Sequence, residues 1–193
     1  MLISFLRTLH SIVHRLASAL RLLPLRILGF SPGRNMRVGK GIGWPLMNLR
    51  QIAIGDDVKL GANGWVFIPI ANRSAKISIG RGTAIGNDFT ISCNNNIRIG
   101  NDCCIGYRVS ILDFDHITGQ GIHPVTSGFT KGEPITIGDD CFIGCGVVIL
   151  RGVTLGKNCV VNANSVVMRS FEDNCVLTGS PAKVVMMVEP VVK

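Results

Sequence analysis

Along most of this chain an aliphatic residue returns at every sixth position. The longest unbroken run is Ile137, Ile143, Ile149, Leu155, Val161 and Val167. Four residues after each of these anchors stands another small or apolar residue: Cys141, Val147, Val153, Cys159, Ser165, Phe171. The string I-x-I-G occurs at 52–55, 77–80, 97–100 and 135–138, with a variant at Val153-Thr154-Leu155-Gly156. A helix would show spacings of three and four, and antiparallel hairpins would show longer alternating runs. A six-residue period with Gly or Asn just past the anchor predicts short strands joined by tight corners. Three strands close one triangular coil, and the anchors line its interior. Full coils are expected at 54–71, 79–96 and 99–116, with two more from 137 to 172. The segments 72–78 and 97–98 are small slips, 117–136 is a large insertion, and an irregular turn precedes the first coil at Val38 to Trp44.

The N-terminal segment has a different period. Leu2, Leu9, Leu16 and Leu23 share one side of a helix with Leu6, Val13, Leu20 and Ile27. Arg7, His14 and Arg21 flank that side, and Ser4, Ser11 and Ser18 lie opposite. The pattern predicts an amphipathic helix, broken near Pro24. It either caps the open end of the coil stack or lies on an anionic membrane surface. The expected organisation is therefore a helical segment at 1–35, a coiled domain at 36–175 with its inserted loop, and a tail at 176–193.

Composition sharpens this picture. Apolar residues make up 47% and aromatics only 6%, with 23 glycines; such a chain packs aliphatic side chains and needs many corners. No uncharged apolar run is long enough to span a bilayer, and no cleavable leader pattern is read at the start. The net charge is +8, and no carboxylate precedes Asp56. An anionic partner for the N-terminal segment is implied, but no nucleic-acid motif accompanies the cations. Of the seven cysteines, Cys103, Cys141 and Cys159 fall in one repeat slot. They are expected to be reduced, buried and structural, in a cytoplasmic protein with peripheral contact at the inner face of the membrane.

The hexads, the insertion after Asp113-Phe114-Asp115-His116, and the ending Gly179-Ser180-Pro181-Ala182-Lys183-Val184-Val185 resemble the hexapeptide-repeat O-acetyltransferases. Residues 134–185 carry most of the likeness, 51–116 match in pattern, and the first 35 match little. The resemblance is to galactoside and maltose acetyltransferases and to those that decorate capsule, O-antigen and exopolysaccharide sugars. It implies an all-β, left-handed parallel β-helix, a homotrimer, and acetyl-CoA in a groove between neighbouring prisms. It also implies a catalytic histidine at the base of the protruding loop.

Acyl transfer from a thioester to a hydroxyl needs a base, donors for the oxyanion and a seat for CoA. The resemblance assigns the base to His116, where the frame gives way to the insertion, and an imidazole suits that role. Asp115 is expected to orient it, and Asp113 to stand at the acceptor; His123, inside the insertion, is a rival base. By resemblance Asn87 and Asp88 contact the acceptor. Phe142 lines the pantetheine channel, Cys145 stands near the thioester where a backbone amide can donate, the Ala163 backbone contacts the CoA arm, and Arg169 and Lys183 face the nucleotide phosphates. No metal is expected, because a zinc site on such a prism needs three converging histidines. The acceptor is expected to be a surface-polysaccharide or lipid-linked sugar. Alternatives are an antibiotic or small sugar, or a non-catalytic prism that binds or scaffolds.

Overall fold

The computed structural model describes residues 2–189; in the first helix, side chains are described at 12, 13 and from 15 onward. The helix Leu2–Ile27 is followed by a solenoid of parallel strands of two to four residues. Its three faces are stacks. Face A runs through Ile52–Ile54, Lys76–Ile79, Asn96–Ile99, Ile135–Ile137 and Thr154–Leu155. Face B includes Arg37–Val38, Lys59–Leu60, Ala84–Ile85, Cys104–Ile105, Phe142–Ile143 and Val160–Val161. Face C runs from Trp65–Phe67 through Thr90–Ser92, Ser110–Leu112 and Val148–Leu150 to Val166–Val167.

The anchors stack in register. Ile52 pairs with Ile77, Ile77 with Ile97, Ile97 with Ile135, and Ile137 with Leu155. The ladder therefore closes straight across the insertion, and Ile135, Ile137, Ile143, Ile149 and Val161 are wholly buried. A second interior column runs along the corner between faces A and B, through Val58, Thr83, Cys103, Cys141, Cys159 and Cys175. Cys103 and Cys159, with burial, push the Cys141 thiol well above its usual range.

Left-handed backbone makes the corners. Asp57, Asn63, Asp88, Asp140, Asn158 and Asn164 all have φ near +60°, where short polar side chains and Gly are tolerated. Arg108, at φ +56°, is the one long side chain in such a slot among the described residues.

Both ends of the stack are closed. At the far end Cys175–Gly179 adds to face B, and Ala182–Met187 folds back on it antiparallel. At the near end the helix lies against Arg37–Val38. The Val38 N–H donates to Ser18 Oγ at 3.1 Å, and Arg21 Nη1 donates to the Val38 carbonyl at 3.0 Å. Leu22 and Leu25 are buried beside them. The serine side faces the prism because its hydroxyl meets an open strand edge that a leucine could not satisfy. Leu16, Leu20, Leu23 and Ile27 are left exposed, while Leu2, Leu6, Leu9, Ser4, Ser11, Arg7 and His14 lie outside the described side chains. The helix also runs through Pro24 to Ile27. Pro24 lacks a donor, yet its carbonyl still accepts from the Leu28 N–H at 3.2 Å, and the helix ends at Gly29 with φ +94°.

Candidate active site

The strand Ser110–Leu112 leaves face C into a corner occupied by Asp113, Phe114, Asp115 and His116. The chain then departs as a protruding loop and returns along its own path. The Thr130 N–H donates to the Asp115 carbonyl at 2.8 Å, and the Ile117 N–H to the Gly128 carbonyl at 3.1 Å. His116 pairs with Phe129 in antiparallel fashion between them. The loop thus has a short, stiff neck, and His116 sits on it.

Aromatic packing fixes the neck to the prism. Phe129 lies 4.9 Å from Phe114 and 5.9 Å from Phe67, ring centre to ring centre. The His116 imidazole is 4.9 Å from the Phe129 ring at 59° and stays exposed to solvent. From the coil below, Asn94 Nδ2 donates to the Thr130 carbonyl at 2.9 Å and Asn95 Nδ2 to the Gly132 carbonyl at 2.8 Å.

The two aspartates behave otherwise than expected. Asp113 is fully buried. Its carboxylate accepts the backbone N–H of Asn94 at 2.6 Å and of Asn95 at 2.9 Å. Burial pushes its carboxyl above the ordinary value, while those two donors pull the other way. Buried and saturated by the corner beneath, it belongs to the frame rather than to an acceptor surface. Asp115 pairs with Arg151 and not with the imidazole, because its side chain turns toward the coil above. Arg151 also holds Glu133 at 3.0 Å, so one guanidinium ties the chain before the loop to the chain after it. Sequence reading missed Arg151. Only the register Leu112 to Leu150 across the insertion places it over Asp113.

The rival His123 is exposed in the outer part of the loop, where its carbonyl accepts the N–H groups of Thr126 and Ser127, both at 3.0 Å.

The other expected residues fall on two edges. Asn87, Asp88, Cys145 and Ala163 occupy corners between faces B and C, with the Tyr107–Arg108 corner between Asp88 and Cys145. Asn87 Oδ1 accepts the Ala62 N–H at 2.8 Å, and Asp88 accepts from Asn63 at 3.3 Å. Cys145 is exposed, with its sulfur 3.4 Å from the Tyr107 nitrogen. Gly144 permits the close stacking there, since a Cβ would meet the Ala163 nitrogen at 2.5 Å. Phe142 stands half exposed on face B, and Lys183, opposite Thr178 in the terminal hairpin, lies beyond Ala163 at the far end. Arg108, left-handed and exposed beside Tyr107, joins this edge; no repeat logic singles it out. Arg169 stands on the other edge, one coil above Arg151, with its guanidinium 5.3 Å over Phe171. His116 and the Cys145 edge therefore lie at opposite ends of face C. The five residue steps from Arg108 to Asp113 span roughly 17 Å at about 3.3 Å each. Among the described residues no group of three or more His, Cys, Asp or Glu is placed to hold a metal ion.

Comparison with known proteins agrees with this architecture. The family profile described as "Hexapeptide repeat of succinyl-transferase" matches residues 134–169. A probable acetyltransferase of Mycobacterium tuberculosis is 31% identical over 149 residues, covering 77% of this chain and 48% of its own length. The galactoside O-acetyltransferase of Escherichia coli is 33% identical over 129 residues, covering 65% of this chain and 62% of its own. The chain thus spans about half to three-fifths of these relatives. A solved N-acyltransferase of Bacillus cereus, in complex with dTDP and coenzyme A, shares the fold with a TM-score of 0.71 at 20% identity. That match covers 86% of this chain and 89% of the other. Stacked hexads, a loop springing from a histidine-bearing corner and these relatives together make the chain similar to the hexapeptide-repeat acetyltransferases.

Proposed function

We propose that this protein transfers an acetyl group from acetyl-CoA to a saccharide hydroxyl, with His116 as general base. The observation that carries the reading is the neck: a solvent-facing imidazole is held on paired backbone at the corner where the ladder opens into the long loop. The galactoside relative supports a sugar acceptor. The imidazole takes the hydroxyl proton as the oxygen attacks the thioester carbonyl. The tetrahedral oxyanion forms, the C–S bond breaks, and the imidazolium returns the proton to the CoA thiolate. With Asp115 committed to Arg151, packing on Phe129 takes over the task of orienting the base.

The Cys145–Ala163 edge, with Phe142 and Lys183, is the proposed seat for CoA, its Cys145 backbone N–H a candidate oxyanion donor. Arg169 serves the nucleotide phosphates in this reading, and Asn87 and Asp88 the acceptor. Since the base and this edge flank face C from opposite ends, the complete site is proposed to form in a trimer. The His116 corner of one copy then faces the Cys145 edge of the next.

Release of free thiol from acetyl-CoA, measured with a panel of sugars and aminoglycosides, tests the reading. His116→Ala is expected to lower kcat by about 10²–10⁴ with CoA binding retained. Full activity in that variant would remove His116 from the mechanism. A wild type that binds no acyl-CoA would leave a prism that binds or scaffolds.

A further inference from the structure

The helix packs on the prism through Ser18, Leu22 and Leu25, which leaves its longest apolar row uncovered. Val13, Leu16, Leu20, Leu23 and Ile27 follow one another at spacings of three and four. Leu16 is 61% exposed, Leu20 71% and Ile27 79%. The row continues beyond the helix. Leu28, Leu46 and Met47, all more than half exposed, border one recess with Arg50 and Arg73. A protein seldom leaves so many large aliphatic side chains contiguous in water without a partner.

The charges beside the row have one sign. Arg15 and Arg26 are exposed on the helix, Arg50 and Arg73 border the recess, and no carboxylate precedes Asp56. Asp56 is itself held by Arg34 at 2.6 Å. No helix of the described residues is long and apolar enough to cross a membrane. An apolar stripe flanked by arginines is instead the pattern of a helix lying in the headgroup layer, with leucines among the acyl chains and guanidiniums on lipid phosphates.

We propose that this end of the prism docks on an anionic lipid bilayer through the Val13–Ile27 row and the Leu28–Met47 patch. The prism then stands on the membrane with its coils stacked outward. The helix thus has two distinct jobs on two sides: Ser18 and Arg21 close a strand edge, and the leucines hold the surface. This goes beyond the catalytic proposal and does not depend on it.

Sedimentation of the whole 193-residue chain with vesicles tests it, comparing phosphatidylcholine alone with phosphatidylcholine containing phosphatidylglycerol. Binding is expected to the anionic vesicles only and to fall as salt is raised. The double variant Leu20→Glu, Leu23→Glu should lose binding at least about tenfold, with Tm and acetyl transfer to a soluble acceptor unchanged. Arg15→Glu with Arg26→Glu should weaken binding to the anionic vesicles alone. No sedimentation with anionic vesicles at low salt overturns the proposal. So does binding that survives the leucine changes. A lower oligomer mass for the leucine variant in analytical ultracentrifugation would make the row a contact between copies of this chain, and the proposal would fall.

Discussion

Replacing Asp113 separates a residue of the frame from a residue of the acceptor site. Its carboxylate is buried and accepts two backbone N–H groups, from Asn94 and Asn95. Asp113→Asn keeps the shape and one acceptor oxygen, but turns an amide NH₂ toward a second donor. One buried N–H is left without a partner, at a cost of about 1–3 kcal/mol. Asp113→Ala leaves both unpartnered, about 2–6 kcal/mol. For a chain of this size each kcal/mol moves Tm by about 2–4 °C, so the Asn variant should melt about 2–12 °C lower and the Ala variant lower still. Thermal unfolding by circular dichroism at fixed protein concentration measures this. Initial rates of acetyl transfer, taken well below the transition, should fall only modestly. The opposite pattern, an unchanged Tm with transfer lost more than about tenfold, would put the carboxylate at the acceptor and refute the reasoning.

Arg151→Met removes the bridge between Asp115 and Glu133. Exposed ion pairs contribute little to stability, about 0–1 kcal/mol, so Tm should barely move. A loosened neck should still lower kcat about ten- to a hundredfold with KM for acetyl-CoA unchanged, and Arg151→Lys should recover part of the loss; an unaffected kcat would show that the bridge does not position His116. Arg108→Asn replaces a left-handed long side chain by a residue the other corners use, and should raise stability by about 1 kcal/mol in chemical denaturation. If Arg108 serves CoA phosphates, KM for acetyl-CoA rises in the same variant. A charged thiol reagent should modify Cys104 and Cys145 in the native protein and all seven cysteines after denaturation; CoA should slow the reaction at Cys145, and rapid modification of Cys141 would contradict its burial.

The coils could be read from the sequence because interior positions of a triangular stack accept little besides aliphatic side chains, and that demand recurs in every strand. Ile137, Ile143 and Ile149 announce themselves without any structure. The loop was visible for the same reason, as the place where the period stops. The docked side of the helix was not. Hydrophobicity points the leucines inward, but the prism offers an open strand edge there, and Ser18 answers a hydrogen-bond demand that no periodicity records. The partners of Asp113 and Asp115 were hidden by register. Asn94 and Asn95 lie one coil down, and Arg151 lies across the insertion, so their adjacency exists only once the ladder is closed.

The regular ladder also acts as a ruler. From Arg37–Val38, where the helix docks, three steps along face B reach Cys104–Ile105, in the coil that ends at His116. At about 4.8 Å per step, the base stands roughly 14 Å above the docked end. An acceptor held at a bilayer would have to extend at least that far, a reach of a few sugar rings rather than of a lipid headgroup. Each coil added or deleted between the helix and the loop would move that height by one step without turning any side chain to a different face. Coil number thus sets how far the His116 corner stands from the docked end.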